Sequence, residues 1–267
     1  MAERKAAGTA QRDVPAVSRA IRILRRLGSA SAPMGVNQLA RELDLVPSTC
    51  LHILRVLTDE GLTAFDPASK RYTIGVGILA IARTAIQRND FTTLAQPKLT
   101  ALSEAHGVTS MATQLIQDRE MVVVALSMAQ LPFRLSTELG SRFPALTSAT
   151  GRCVAAFGAI GAAELRARFD RLKWDNAPDF KTWLAQVEQT RRDGYGVDAG
   201  EYISGVTIVA APMFDVDGGV ARSLVAIGLS ERMSAASIAA IAASLLDVRD
   251  SVAGLLVNDD ATARPRR

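Results

Sequence analysis

Apolar residues recur every three or four positions through the first sixty residues, which predicts a row of short helices. In 15-PAVSRAIRILRRLGSA-30, Val17, Ala20, Ile21, Leu24 and Leu27 keep helical spacing, Arg19, Arg22, Arg25 and Arg26 occupy other positions, and Gly28 stops the helix. After the loop 29–35, the segment 36-VNQLARELDL-45 places Val36, Leu39, Ala40 and Leu43 on one face of a second, shorter helix. A third follows in 45-LVPSTCLHILRVLTDEGL-62, where Leu51, Ile53, Leu54 and Leu57 form an apolar side and Thr49, His52, Arg55 and Asp59 a polar one. Pro47 and Ser48 suit its start and Gly61 the position just past its end. Taken alone this is an ordinary amphipathic surface helix. Following a short helix and a tight turn, it is the second half of a helix-turn-helix. Leu62–Phe65 and Arg71–Ile74 then read as short strands joined by the turn formers of 66-DPASK-70, so the head reads as a winged helix.

The pattern changes twice after the head. In 75-GVGILAIARTAIQRND-90, Ile78, Leu79, Ile81, Ala82, Ala85 and Ile86 make a band too broad for a helix lying on one surface. A linker helix packed on its own head and on a second subunit is the reading. Gly75 and Gly77 lack the lysine and spacing of a phosphate loop. From residue 91 helices and strands mix. A helix over Thr93–His106 precedes strands at Ser110–Ile116, 121–127 and Phe133–Thr137, and a loop 138–151 runs into a helix over Ser148–Phe157. Helices at 161–173 and 180–193, the irregular segment 194–205, strands at 206–214 and 220–230 and a helix over Ala235–Val257 complete the body. Short connections favour antiparallel pairing. The expected organisation is α+β: a tail at 1–13, a winged helix-turn-helix domain at 14–75, a linker helix at 76–90, a body at 91–258 and a tail at 259–267, both tails disordered.

Charge sharpens this division. Residues 1–75 hold eleven Lys/Arg and seven Asp/Glu, and 11 − 7 = +4 equals the +4 of the whole chain, 31 − 27. A basic head on a neutral body suits a polyanion partner, and the arginines equally suit a solvated helix face. Two cysteines, Cys50 and Cys153, stand in apolar contexts and are expected reduced, as in a cytoplasmic protein. With only His52 and His106 as histidines, no metal cluster or cofactor site is expected. The N-terminus is charged and lacks the apolar core of a secretory signal, and no apolar run reaches the roughly 18 residues of a membrane span.

The ordered set of segments resembles the IclR family of bacterial transcription regulators. In the head the resemblance lies in 17-VSRAIRILRRL-27, 45-LVPSTCLHILRVL-57 and 71-RYTIG-75; in the body it lies in 138-ELGSRFPALTSATGRCVAAF-157, 193-DGYGVDAGEYISGVTIVAAPMFD-215 and 218-GGVARSLVAIG-228. It implies a GAF-like α/β effector domain with an antiparallel sheet, and homodimers or homotetramers whose paired heads bind a near-palindromic double-stranded DNA operator as a repressor. Carried over, it puts Ser48, Thr49, His52 and Arg55 toward the groove, with Arg19, Lys70 and Arg71 on phosphates. His52 departs from the arginine common in the family and is the weaker guanine reader. It also implies an effector site at Gly140, Ser148, Ala149, Thr150 and Gly151, where amides at a helix start meet the carboxylate of a small carboxylic or aromatic acid, and at Asp198 and Ile208. Ile208 replaces a cysteine of several relatives and suits a more hydrophobic ligand, or is plain core. Glu201 fixes its loop.

Two rival readings remain. Asp198, Glu201 and Ser204 are close in sequence and could do acid–base work, but a hydrolase would need a partnered base, and His106 stands at a helix end. The expectation is therefore no enzyme. Alternatively the body only oligomerises a ligand-independent regulator. Against this stand two irregular, glycine-rich stretches beside a sheet, which suit the lining of a site.

Overall fold

A computed structural model describes residues 14–87, 90–128, 137–215 and 218–262, in two compact units, residues 1–88 and 89–267. The first unit holds α1 (Pro15–Gly28), α2 (Val36–Glu42), α3 (Pro47–Asp59), the antiparallel pair β1 (Thr63–Asp66) and β2 (Arg71–Ile74), and α4 (Gly77–Gln87). Its core is one cluster in which Ile23 and Leu27 of α1, Leu39 of α2, and Cys50, Leu54 and Leu57 of α3 are buried. Each large aliphatic side chain there contributes about 1.5–3 kcal/mol relative to exposure. Pro47 takes the first position of α3, where its missing N–H costs nothing, but Val46, not a hydroxyl residue, precedes it and no side chain caps the helix. Gly61, at φ +71°, follows the helix end as the spacing predicts. Gly75 permits a close approach: a Cβ there would lie 2.3 Å from the Gly61 carbonyl oxygen.

On α4, Leu79 and Ile81 are 68% and 63% exposed, while Ile78 and Ala82 are half-buried. The broad apolar band is thus only partly covered within one chain. The side chains of Ala85 and Ile86 lie outside the described residues, as do residues 1–13.

The second unit is built on a six-stranded antiparallel sheet of order β5-β4-β3-β8-β7-β6: β3 (Thr109–Ile116), β4 (Glu120–Met128), β5 (Arg142–Pro144), β6 (Gly196–Ala199), β7 (Val206–Phe214) and β8 (Val220–Leu229). The near-continuous apolar run of β7 marks a strand covered on both faces. Val209 and Ala211 of β7, with Leu224 and Ala226 of β8, pack under α5 (Asp90–His106) and α9 (Ala235–Thr262) through Leu99, Leu102, Ile241 and Leu245. Ile208, Ala210, Val225 and Ile227, of opposite parity, face α6 (Ser148–Phe157) through Ala149 and Cys153. Behind α6, α7 (Ala162–Phe169) and α8 (Phe180–Asp193) enclose Trp183 and Val187. The α+β architecture, with a helix-turn-helix unit and an antiparallel-sheet unit, is as expected.

Four local expectations differ. The third body strand, expected over Phe133–Thr137, lies outside the described residues except for Thr137, while β5 at 142–144 forms within the expected loop. The segment 194–205 contains β6, an edge strand paired with β7. The helix expected over 161–173 stops at Phe169, where Asp170 and Arg171 turn the chain. The last helix continues to Thr262, past the expected Val257, because no glycine or proline stands between Gly254 and Pro265. Residues 259–262, expected in a disordered tail, are therefore helical. No helix among the described residues is long and apolar enough to cross a membrane.

Candidate functional sites: an exposed helix face and a cavity beside α6

Burying Cys50, Leu54 and Leu57 turns the opposite side of α3 outward. Ser48, His52 and Arg55 are exposed there and Thr49 is half-buried, so four of the candidate residues share one face. Beside His52 a groove of about 320 Å³ runs between α1 and α3, bordered by Val17, Ala20, Ile53 and Val56. Arg19 is exposed on α1. Two other arginines of that helix are engaged within the head: Arg22 donates to the Leu43 carbonyl, and Arg26 Nε pairs with Glu42 Oε2 at 2.6 Å. Hydrogen bonds from Gln38 and then Arg26 hold the Glu42 carboxyl below its ordinary range.

The wing turn is organised by Asp66, whose Oδ1 accepts from the Ala68 amide at 3.0 Å and whose Oδ2 accepts from the Ser69 hydroxyl at 2.5 Å. The Ser69 bond first, then the Ala68 amide, keep this carboxyl low. Lys70 follows in the left-handed region, at φ +55°, with its side chain exposed. Arg71 donates Nη1 to the Pro33 carbonyl at 2.8 Å. Lys70, Arg71 and Ser69 face Gly35, Asn37 and Gln38 across a polar notch of about 410 Å³.

In the second unit a cavity of about 290 Å³ opens between the sheet and the start of α6. Its floor is apolar: Met111, Val206, Ile208, Val225 and Ile227. Its walls carry Ser141, Arg142 and Phe143 on one side, Ser148 and Thr150 of α6, and Tyr202 and Ile203 from the segment before β7. Arg142 is paired with Glu120 at 2.7 Å. Ser148 is a buried non-glycine residue at φ +63°, a conformation that costs about 1–3 kcal/mol and that recurs at functional sites. Thr147 precedes α6 but makes no capping bond, and its buried Oγ1 has no partner. Ser148 Oγ accepts from the Ala149 amide at 2.5 Å, so the start of α6 meets the cavity without a cap from Thr147 and with a serine hydroxyl on its first turn.

Three of the seven candidate effector residues, Ser148, Thr150 and Ile208, line this cavity. The other four do not. Gly140 lies exposed in the preceding turn, its N–H on the Val123 carbonyl at 2.8 Å. Ala149 faces β6 and β7. Gly151 serves close packing, since a Cβ there would stand 2.0 Å from the Leu146 carbonyl oxygen. Asp198 is fully buried behind α6, against Arg152.

Arg152 went unnoticed in the sequence. It is fully buried, and its Nη1 donates to Asp198 Oδ2 at 3.0 Å, its Nη2 to Glu201 Oε2, and its Nε and Nη2 to Gln186 Oε1 at 3.1 and 2.9 Å. A helical residue amid small apolar neighbours, with partners 34 to 49 positions away, leaves no local signal. Because Arg152 engages both carboxylates, Asp198 and Glu201 are charge-paired, which is not the arrangement of an acid–base couple. The Ser204 amide donates to Asp175 Oδ2 at 2.8 Å. His106 Nε2 pairs with Ser244 Oγ at 2.9 Å.

Comparison with known proteins identifies the family. The IclR helix-turn-helix domain matches residues 16–67, and the bacterial transcriptional regulator IclR C-terminal domain matches residues 83–253. The HTH-type transcriptional repressor AllR of Escherichia coli K12 is 26% identical over 228 residues, covering 84% of each chain. An IclR transcriptional regulator from Alicyclobacillus acidocaldarius shares the fold with a TM-score of 0.82 at 23% identity, over 91% of this chain and 99% of that one. An IclR homolog from Microbacterium hydrocarbonoxydans, complexed with 4-hydroxybenzoate, does so with a TM-score of 0.73 at 14% identity, over 90% and 99%. The chain belongs to the IclR family of bacterial transcriptional regulators, DNA-binding proteins and not enzymes.

Proposed function

We propose that the protein is a repressor that binds a near-palindromic operator as a dimer or tetramer and is controlled by a small carboxylic or aromatic acid held in the cavity beside α6. The observation that carries the effector half is the start of α6, left without a cap from Thr147, on a cavity with an apolar floor. The positive end of a helix, with the Ser148 and Thr150 side chains beside it, suits a carboxylate, and the floor suits a ring or chain. The 4-hydroxybenzoate bound by a protein of the same fold supports that class. Ser148, Thr150 and Ile208 would touch the ligand, Ala149 and Gly151 would shape the helix start, Gly140 would border the mouth, and Asp198 would act from behind the wall. In the head, Ser48, Thr49, His52 and Arg55 would face base edges, while Arg19, Lys70 and Arg71 would hold phosphates. The exposed apolar side of α4 would be covered by a second subunit.

Fluorescence anisotropy of the full-length protein on its own upstream DNA, with excess competitor, tests both halves. The expected result is a competitor-resistant complex whose affinity shifts about 5- to 150-fold when the right acid is added. In thermal shift that acid stabilises by about 2.7 kcal/mol at a hundredfold excess over Kd. A specific complex indifferent to a broad panel of carboxylic and aromatic acids would sink the effector half. Binding of all DNA alike, lost with salt, would sink the operator half.

A further inference from the structure

Two walls of the cavity are remote in sequence: the first turn of α6, with Ser148 and Thr150, and the segment before β7, with Tyr202 and Ile203. Residues 200–205 run through bends and turns with no ladder to fix them. Behind the cavity, Arg152 joins the two. It stands on α6 one turn beyond Ser148, fully buried, and its planar guanidinium addresses Asp198, Glu201 and Gln186 at once. Gln186 Nε2 closes the ring by donating to Glu201 Oε1 at 2.6 Å. Asp198 is engaged from both sides, since its other oxygen, Oδ1, accepts from the backbone amides of Glu201 and Tyr202 at 3.0 and 3.2 Å. The chain of bonds thus runs from α6 through Arg152 and Asp198 to the amide of a cavity wall.

The ends of the same segment are tied separately. Asn176 Nδ2 donates to the Gly200 carbonyl at 2.7 Å, and Asp175 Oδ2 accepts from the Ser204 amide at 2.8 Å. The Glu201 and Tyr202 carbonyls are likewise held, by the Asn176 and Asp175 amides at 2.9 and 3.2 Å, so removing Arg152 loosens the Glu201 and Tyr202 amides, which rest on Asp198, while the other side of the segment stays fastened.

We infer that Arg152 is the positioning residue of the cavity: acting through Asp198 and Glu201, it sets the separation between the start of α6 and the Tyr202–Ile203 wall, and so governs affinity for the bound acid. The affinity part rests on the cavity being the effector site; the positioning of the wall does not.

Amide hydrogen exchange of the full-length protein tests the positioning directly, in Arg152→Lys and in the milder Glu201→Gln, with Arg166→Gln on the exposed face of α7 as control. Glu201 is 22% exposed, so its variant is expected to fold even where Arg152→Lys does not. The expected result is exchange at the amides of residues 201 and 202 about tenfold faster in Arg152→Lys and about threefold faster in Glu201→Gln, with β7 unchanged. Unchanged exchange at these two amides in the folded variants overturns the inference. Uniform acceleration through β7 and β8 also overturns it, because Arg152 would then only hold the unit together. Calorimetric titration with 4-hydroxybenzoate supplies the second arm: weakening of about tenfold in Arg152→Lys, with none in the control, is expected. If the unaltered protein ignores this acid, the effector reading fails for that compound, while the exchange arm still decides the role of Arg152.

Discussion

Arginine is used in opposite ways in the two units. In the head, Arg19, Arg25 and Arg55 are exposed on α1 and α3, where their charge is available to a polyanion. In the body, Arg152 is fully buried between two carboxylates and an amide, and contributes shape but no external field. An exposed arginine that makes no bond within the fold acts on the partner; a buried, paired one acts on the fold and on whatever its partners position. The excess charge of residues 1–75 over the remainder has its physical sense in this division.

The sharpest test of the contrast is the same substitution in both places. Arg152→Met leaves Asp198 buried without its counter-charge and is expected to cost about 3–5 kcal/mol of stability. Arg55→Met removes a solvated charge and is expected to stay within about 0.5 kcal/mol. Urea unfolding followed at constant m reads both as shifts in midpoint. Similar losses from the two changes would break the comparison.

A smaller effect separates the units by their cores. Each holds one free cysteine, Cys50 in the head and Cys153 in the body, and both are fully buried. Burial pushes the Cys153 thiol up to about 12, against weaker opposite pulls from the Gly196 amide and Arg152, and burial also raises Cys50. A raised thiol favours the folded state at pH below its unfolded value of 9.0, and that contribution is lost as pH rises through about 12. A thiol reagent at pH 8 therefore reads opening of the fold without perturbing it. Among the described residues, the head rests on one small cluster of buried residues, whereas three clusters support the body. Cys50 is expected to label about tenfold faster than Cys153 or more, corresponding to about 1.4 kcal/mol less protection. Equal rates would mean that the two units open together.

The two units also differ in how far they could be read from sequence. The head's elements and its outward face follow from local periodicity: once Leu54 and Leu57 are inward, Ser48, His52 and Arg55 must face out. In the body the long elements were legible for the same reason, β7 from its unbroken apolar run and α8 from Trp183 and Val187. The cavity was legible only in part. Ser148, Thr150 and Ile208 line it, but Tyr202 and Ile203 come from a segment whose path is set by distant hydrogen bonds, and Arg152 meets partners on two other elements. β5 and β6 escaped because three or four residues at a sheet edge are too few for alternation to register. Gly151 was placed correctly at the helix start but for a different use, since its lack of a side chain answers the Leu146 backbone.

The smallest expected effect lies within the wing, where Lys70 and Arg71 look interchangeable in sequence and are not in structure. Lys70 is exposed at a left-handed turn position beside the polar notch. If it holds one phosphate, Lys70→Ala lowers the slope of log K against log salt by about 0.9. The head's stability should not move, because alanine is strained at φ +55° as lysine is. Arg71 borders the same notch but also fastens the wing to the chain before α2 through the Pro33 carbonyl. Arg71→Ala is therefore expected to change the slope similarly and, in addition, to cost the head about 0.5–1.5 kcal/mol for the lost hydrogen bond. A salt series on operator DNA and a urea curve on each variant separate these contributions. A stability loss in Lys70→Ala, or none in Arg71→Ala, would show that the tether to Pro33 is not what holds the wing. The head's outward charges would then have to be assigned to DNA by binding data alone, without help from which of them the fold already uses.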